Sequence, residues 1–185
     1  MVKPNDDQII NLNELKDIVV DVMLGMGIWS KEQLAMLDKI PLGVLRKNAT
    51  QRHGVTRWKI GVKTPSSPTE VEVIDLHPEL LTNDWKAYGA WVLHHEYIHA
   101  LGFTSHNSEF RQLEHLWPSP KAGSMGLKFT EFLRRRNAKW LLRCDSCNKE
   151  YPRQKPGNGR LMCRKCRKIL VDVPITRHSL SLIHI

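Results

Sequence analysis

Long apolar runs are missing from this chain. No run of 18 apolar residues occurs among its 185, which excludes a membrane-spanning helix of ordinary length. The opening Met1-Val2-Lys3-Pro4-Asn5-Asp6-Asp7 also lacks the apolar centre of a secretory signal. The expectation is an intracellular protein with no membrane partner. Cysteine is scarce as well: Cys144, Cys147, Cys163 and Cys166 form two Cys-x-x-Cys pairs and none is left over. In a reducing compartment that pattern excludes a disulfide framework and leaves a metal site. Acidic residues nearly vanish from 134–168, where thirteen Lys or Arg face only Asp145 and Glu150. That is a local charge of +11 in a chain whose net charge is +9, so the remainder is slightly acidic. A basic block of this kind fits a polyanion partner, most often nucleic acid, with a merely solvated basic face as the alternative.

What is present is the composition of a globular protein, 41% hydrophobic and 25% charged. The length allows one sizeable core plus a small appendage. The expected division is a main domain over 1–138, a basic cysteine module over 139–175 and a tail over 176–185. Residues 180–185 coincide with the translation of a sequencing adapter, so the expectation is a read-through scar outside the fold.

Helical spacing places Leu12, Leu15, Val19, Val22, Met23 and Met26 on one face of a helix over 12–26, which Gly27 can close. Ser30 with Gln33 forms the sequence pattern of a capping box and opens a second helix ending before Pro41. Residues 56–62 alternate, with Trp58, Ile60 and Val62 on one side, and 70–76 are rich in β-branched residues. Two strands followed by helices predict an α+β fold in which helices pack on a small antiparallel sheet. Its edge strand could pair with an extended peptide.

The richest stretch is 91–102, which contains His95-Glu96-Tyr97-Ile98-His99 within a helical pattern. Thr82, Asn83 and Asp84 offer N-cap chemistry and Gly102 a C-terminal stop. His95 and His99 lie one turn apart on one helix face, so both imidazoles can reach a single ion. Glu96 is turned by about 100° from His95, where it flanks the ion and can take the proton of a water the metal activates. The bland alternative is a pair of core histidines. A catalytic zinc ordinarily has three protein ligands, and His106, seven residues after His99, is the nearest third candidate. The metzincin spacing would place that ligand at Ser105. Glu109 and Glu114 are nominal alternatives that lie too close to His99 for the chain to return antiparallel. His94 and His115 read as packing or surface histidines, and Met125 as a loop or core methionine. A helix is expected over 108–116 with Phe110, Leu113 and Leu116 inward, then another over 127–138.

Fifteen residues separate the inner cysteines of the two Cys-x-x-Cys pairs. Each pair can form a turn presenting two thiolates, and together they can complete a closed tetrahedral site whose metal supplies folding energy and no catalysis, with a redox pair as the alternative reading. Trp140 and Tyr151 beside it could stack on unpaired bases or pack the module.

Taken together, residues 12–170 resemble the SprT-like metalloprotease family, which includes the eukaryotic Spartan proteases. The resemblance rests on His95-Glu96-Tyr97-Ile98-His99-Ala100, on His106-Asn107-Ser108-Glu109-Phe110, on the four cysteines, and on 74–81 as the strand-to-loop segment before the metal helix. Asn107 departs from the family's usual glycine, and asparagine tolerates a left-handed turn there. The resemblance implies a zincin-like domain followed by a four-cysteine zinc ribbon, with His95, His99 and His106 on a catalytic Zn2+ and Glu96 as general base. Cys144, Cys147, Cys163 and Cys166 would hold a structural Zn2+. It further implies a DNA-dependent protease acting on proteins crosslinked to DNA. Two other readings stand beside it: a DNA-independent zinc peptidase, and a nucleic-acid-binding ribbon protein whose first domain is a scaffold. An intact Glu96 argues against the scaffold.

Overall fold

The computed structural model describes residues 2–176. The chain divides into two compact units, Met1–Leu127 and Lys128–Ile185. The division falls in the first turn of a helix, ahead of the expected boundary at 138/139. Of the tail expected over 176–185, residues 177–185 lie outside the described residues.

The first unit opens with α1 (Asp6–Gly25), which starts earlier than the apolar stripe predicts because Asn5 and Gln8 form a reciprocal capping box. Leu12, Leu15, Val19 and Met23 form its buried stripe, and Gly27 ends it at φ +68°. Ser30 and Gln33 cap α2 (Lys31–Asp38) in the same way. Next come β1 (Leu42–Val44), β2 (Gly54–Trp58) and β3 (Val71–Leu76).

These strands make a mixed sheet in the order β1-β3-β2, where a purely antiparallel one was expected. β1 runs parallel to β3 with Gly43 beside Asp75, and β2 runs antiparallel with Thr56 beside Ile74. Three residues of β1 are too few to signal a strand by alternation, so its pairing is a product of packing. The strand expected over 56–62 starts earlier and stops at Trp58. Its register slips between Arg57 and Trp58, Gly61 turns at φ +91°, and Ile60 points wholly into solvent. Glu70 is likewise lost from β3, because its carboxylate accepts the Ser66 and Ser67 N–H groups around a short 3-10 turn, Pro68–Glu70.

After β3 another 3-10 turn, Pro78–Leu81, leads to α3 (Lys86–Ala100). The expected caps do not serve this helix. Its N-cap is Trp85, while the Thr82 hydroxyl donates to the Glu79 carbonyl of the preceding turn. What holds α3 is burial on nearly every side: Val92, Leu93, Tyr97, Ile98 and Ala100 are all buried. Each large apolar side chain so removed from water contributes about 1.5–3 kcal/mol. α1, β2 and β3 all pack against α3. Gly102 ends it at φ +101°.

α4 (Ser108–His115) and the short α5 (Pro120–Gly123) complete this unit. α4 turns Phe110 inward as predicted. Leu116, expected inward, is exposed, and Glu114 takes the buried position.

α6 (Gly126–Asn137) spans the division between units. The second unit then contains β4 (Trp140–Arg143), β5 (Glu150–Arg153) and β6 (Val171–Pro174), an antiparallel sheet in the order β5-β4-β6. Its core is small: Leu142, Cys144, Cys163 and Leu170 are buried, with Trp140 and Tyr151 packed against them. The architecture is thus α+β with two small sheets and a four-cysteine cluster near the C-terminus.

Candidate metal centre

His95 and His99 project from the last two turns of α3, and His106 comes from the loop between α3 and α4. That loop is organised by hydrogen bonds close in sequence. Thr104 N–H reaches the Gly102 carbonyl and Asn107 N–H the Ser105 carbonyl. Asn107 then N-caps α4, its side chain accepting from Phe110 N–H at 2.9 Å. Its φ is −78°, so the left-handed turn allowed for at this residue is not used. The Phe110 ring, fully buried, lies 4.6–4.9 Å centroid to centroid from all three imidazoles and forms their floor.

His106 Nε2 lies 3.2 Å from His95 Nε2 and 3.1 Å from His99 Nε2, and the three ligand atoms fall within 4.8 Å of one another. In a tetrahedral zinc site with bonds of about 2.0–2.1 Å, ring nitrogens sit about 3.3 Å apart. Hydrogen bonding among the three rings accounts for only part of this geometry. His95 Nδ1 is 2.7 Å from Glu114 Oε1 and His99 Nδ1 is 2.8 Å from the Phe103 carbonyl. Both partners are acceptors, so both Nδ1 atoms carry the proton and both neutral rings turn a bare Nε2 lone pair inward. A proton on His106 Nε2 could satisfy only one of them. A cation satisfies all three, and the donor set is compatible with zinc.

Burial pulls the pKa of His95 below its ordinary value, against the raising effect of Glu114, and pulls His99 down to about 4. Both are therefore neutral near pH 7, as ligation requires. Glu114 is almost wholly buried and also receives Arg111 Nη1 at 2.5 Å. Burial by itself would raise its pKa, but the bonds from His95 and Arg111 prevail and hold it below the usual carboxylate range.

Glu96 lies 5% exposed beside the histidines, and burial pushes its pKa up to about 7. Thr56 on β2 donates to Glu96 Oε2 at 2.8 Å. Gly54, also on β2, leaves the carboxylate its space: a Cβ there would meet Glu96 Oε1 at 2.7 Å. A cleft of about 320 Å³ runs between Gly54, Val55, Thr56 and Trp58 on one side and His95, Glu96, His99, Thr104 and His106 on the other.

Cys144, Cys147, Cys163 and Cys166 are free thiols whose sulfurs converge within 4.8 Å. Cys147 Sγ and Cys163 Sγ are 3.7 Å apart, against about 3.8 Å across a tetrahedron of 2.3 Å zinc–sulfur bonds. Each pair forms the same local turn. Asn148 N–H bonds to the Cys144 carbonyl and Cys144 N–H to the Lys149 carbonyl, and Arg167, Cys163 and Lys168 repeat the arrangement. Asn148 and Arg167 close the turns at φ 54° and 56°. The Tyr151 hydroxyl sits 3.4 Å from Cys163 Sγ and accepts from Arg164 N–H. Tyr151 and Trp140, the aromatic candidates for base stacking, are thus half-buried parts of the module's own packing.

Every residue assigned to a metal by sequence joins one of two clusters that could hold an ion. Glu109 and Glu114 do not enter the histidine cluster. His94 is buried against Trp117, and exposed His115 bonds through Nδ1 to the Arg111 carbonyl. Sequence reasoning missed the bracing of His95 by Glu114, although an inward carboxylate one turn after Phe110 was a legible signal. It missed Thr56 and Gly54 altogether. Comparison of the chain with family models, with curated proteins and with solved structures returned no match.

Proposed function

We propose that the chain is a zinc-dependent endopeptidase of zincin type, acting on proteins bound or crosslinked to DNA. The observation carrying the peptidase reading is the convergence of three imidazoles, two with their tautomers set, beside a buried carboxylate in an open cleft. His95, His99 and His106 would hold the zinc, which when bound would supply Lewis acidity toward a carbonyl and a water. Glu96, with a pKa near 7, would act as the general base that takes a water's proton and returns it to the departing amine. Glu114 and the Phe103 carbonyl orient the ligand rings. β2 forms the open wall of the cleft, where an extended peptide can add as a further strand. The four cysteines would hold a second zinc with no open position, in a structural role.

The DNA part rests on charge. The +11 over 134–168 surrounds the cysteine module, and binding there would hold the enzyme and a DNA-attached substrate on one strand. The deciding experiment is cleavage of a DNA-binding protein by wild type and by Glu96→Gln, with and without single-stranded DNA. Wild type should cleave, DNA should stimulate it, and Glu96→Gln should be slower by about 10² or more with its zinc retained. Equal rates in wild type and Glu96→Gln would remove the peptidase reading, and cleavage indifferent to DNA would leave a DNA-independent peptidase.

A further inference from the structure

Strand β2 makes two kinds of contact that meet at one residue. The His77 N–H bonds to the His53 carbonyl, just before β2. In an antiparallel pair such bonds alternate. Given the register Gly54 to Leu76, Val55 to Asp75 and Thr56 to Ile74, Val55 turns its backbone groups toward β3, while Gly54 and Thr56 turn theirs to the open side. β2 is the edge of its sheet and lines the cleft. The side chain of Thr56 meanwhile crosses to α3, where its hydroxyl reaches Glu96 Oε2 at 2.8 Å and the Glu96 carbonyl at 3.1 Å. The space facing Gly54 is also filled by Glu96, whose Cγ would lie 2.9 Å from an added Cβ.

We infer that Thr56 is a positioning residue for Glu96: its hydroxyl sets the direction of the carboxylate, and Gly54 keeps the room that direction needs. The inference rests on the peptidase reading for its role in turnover, while the contact itself can be tested without it. Its consequence is that one strand registers both partners of the reaction. A peptide added to β2 pairs with the main chain of Gly54 and Thr56, and the Thr56 side chain aims the base at the same register. Buried on a helix, a glutamate side chain with three rotatable bonds has no other side-chain hydrogen bond among the described residues to select its position.

Thr56→Val keeps the shape and removes the donor, and Thr56→Ser keeps the donor. In zinc-loaded full-length protein, Thr56→Val should keep its full zinc content and its KM, since the main chain of β2 is unaltered. Its kcat should fall about ten-fold or more, as for loss of one hydrogen bond to a charged group, and Thr56→Ser should recover most of it. A second readout needs no turnover: the melting shifts of Thr56→Val and Glu96→Ala should be non-additive in the double variant, because either change alone already removes the contact. A wild-type kcat in Thr56→Val, or additive melting shifts, would overturn the inference. If wild type cleaves no better than Glu96→Gln, the peptidase reading fails and the melting cycle alone decides whether Thr56 holds Glu96.

Discussion

Glu114 Oε1 lies 2.7 Å from His95 Nδ1, and the same carboxylate holds Arg111 through its other oxygen. An acceptor at this place keeps the ring proton on Nδ1, turns the Nε2 lone pair toward His99 and His106, and would make His95 a better ligand for a metal. It is charged when needed, because two donors stabilise it despite its burial.

Removing that charge should therefore weaken the metal before it affects the fold. Glu114→Gln is expected to lower zinc affinity by about 10- to 100-fold, measured by competition with a chromophoric chelator. Unchanged affinity would reduce Glu114 to a packing role on α4.

A pH effect follows from Glu96. Its folded pKa of about 7 lies above the ordinary value of 4.5, so between those values the folded state binds more protons than the unfolded one. The resulting contribution is complete below about 4.5 and is lost as pH rises through about 7. In chelator-treated protein the melting temperature of wild type should fall relative to Glu96→Gln from about pH 5 to pH 8. The titrating histidines are common to both proteins and cancel in the difference. A difference constant across that window would mean that Glu96 is solvated in the metal-free protein.

Metal content distinguishes the two clusters. Cys163→Ser removes one of two fully buried thiols in the second unit's small core, which should cost one metal equivalent and lower the stability of that unit. Elemental analysis should find the histidine cluster still loaded. Loss of both ions together would show that the sites depend on one another.

Basic residues around the second cysteine turn should govern DNA affinity through counterion release. Arg164, Lys165 and Lys168 are exposed, and replacing all three with Gln should reduce the slope of log K against log salt by about 0.7 per lost contact on single strands. An unchanged slope would assign the phosphate contacts elsewhere and leave these charges as solvated surface.

Local periodicity made much of this protein legible. The spacing of His95 and His99 places them on one helix face in any α-helix. Each Cys-x-x-Cys turn closes through hydrogen bonds within a few residues, and the apolar stripe of α1 marks its own buried side. The Ser30 and Gln33 capping box is also local, and it forms as read.

Where sequence reading erred, a distant partner had decided the outcome. The α3 caps failed because burial, not end chemistry, holds that helix. Leu116 is exposed where an inward place was expected, and Glu114 can be buried because its carboxylate accepts from both His95 and Arg111. β1 was invisible because three residues become a strand only when β3 is there to pair with them.

Sequence by itself determined which atoms could be ligands and which carboxylate stands next to them, since i to i+4 geometry and short turns are set by backbone helicity and neighbouring hydrogen bonds. Tertiary structure decided how those atoms are oriented. His95 is braced across 19 positions by Glu114 and Glu96 across 40 positions by Thr56. The pairing of residues so far apart depends on how α3, α4 and β2 pack, and that packing is a property of the whole buried core that no local spacing encodes.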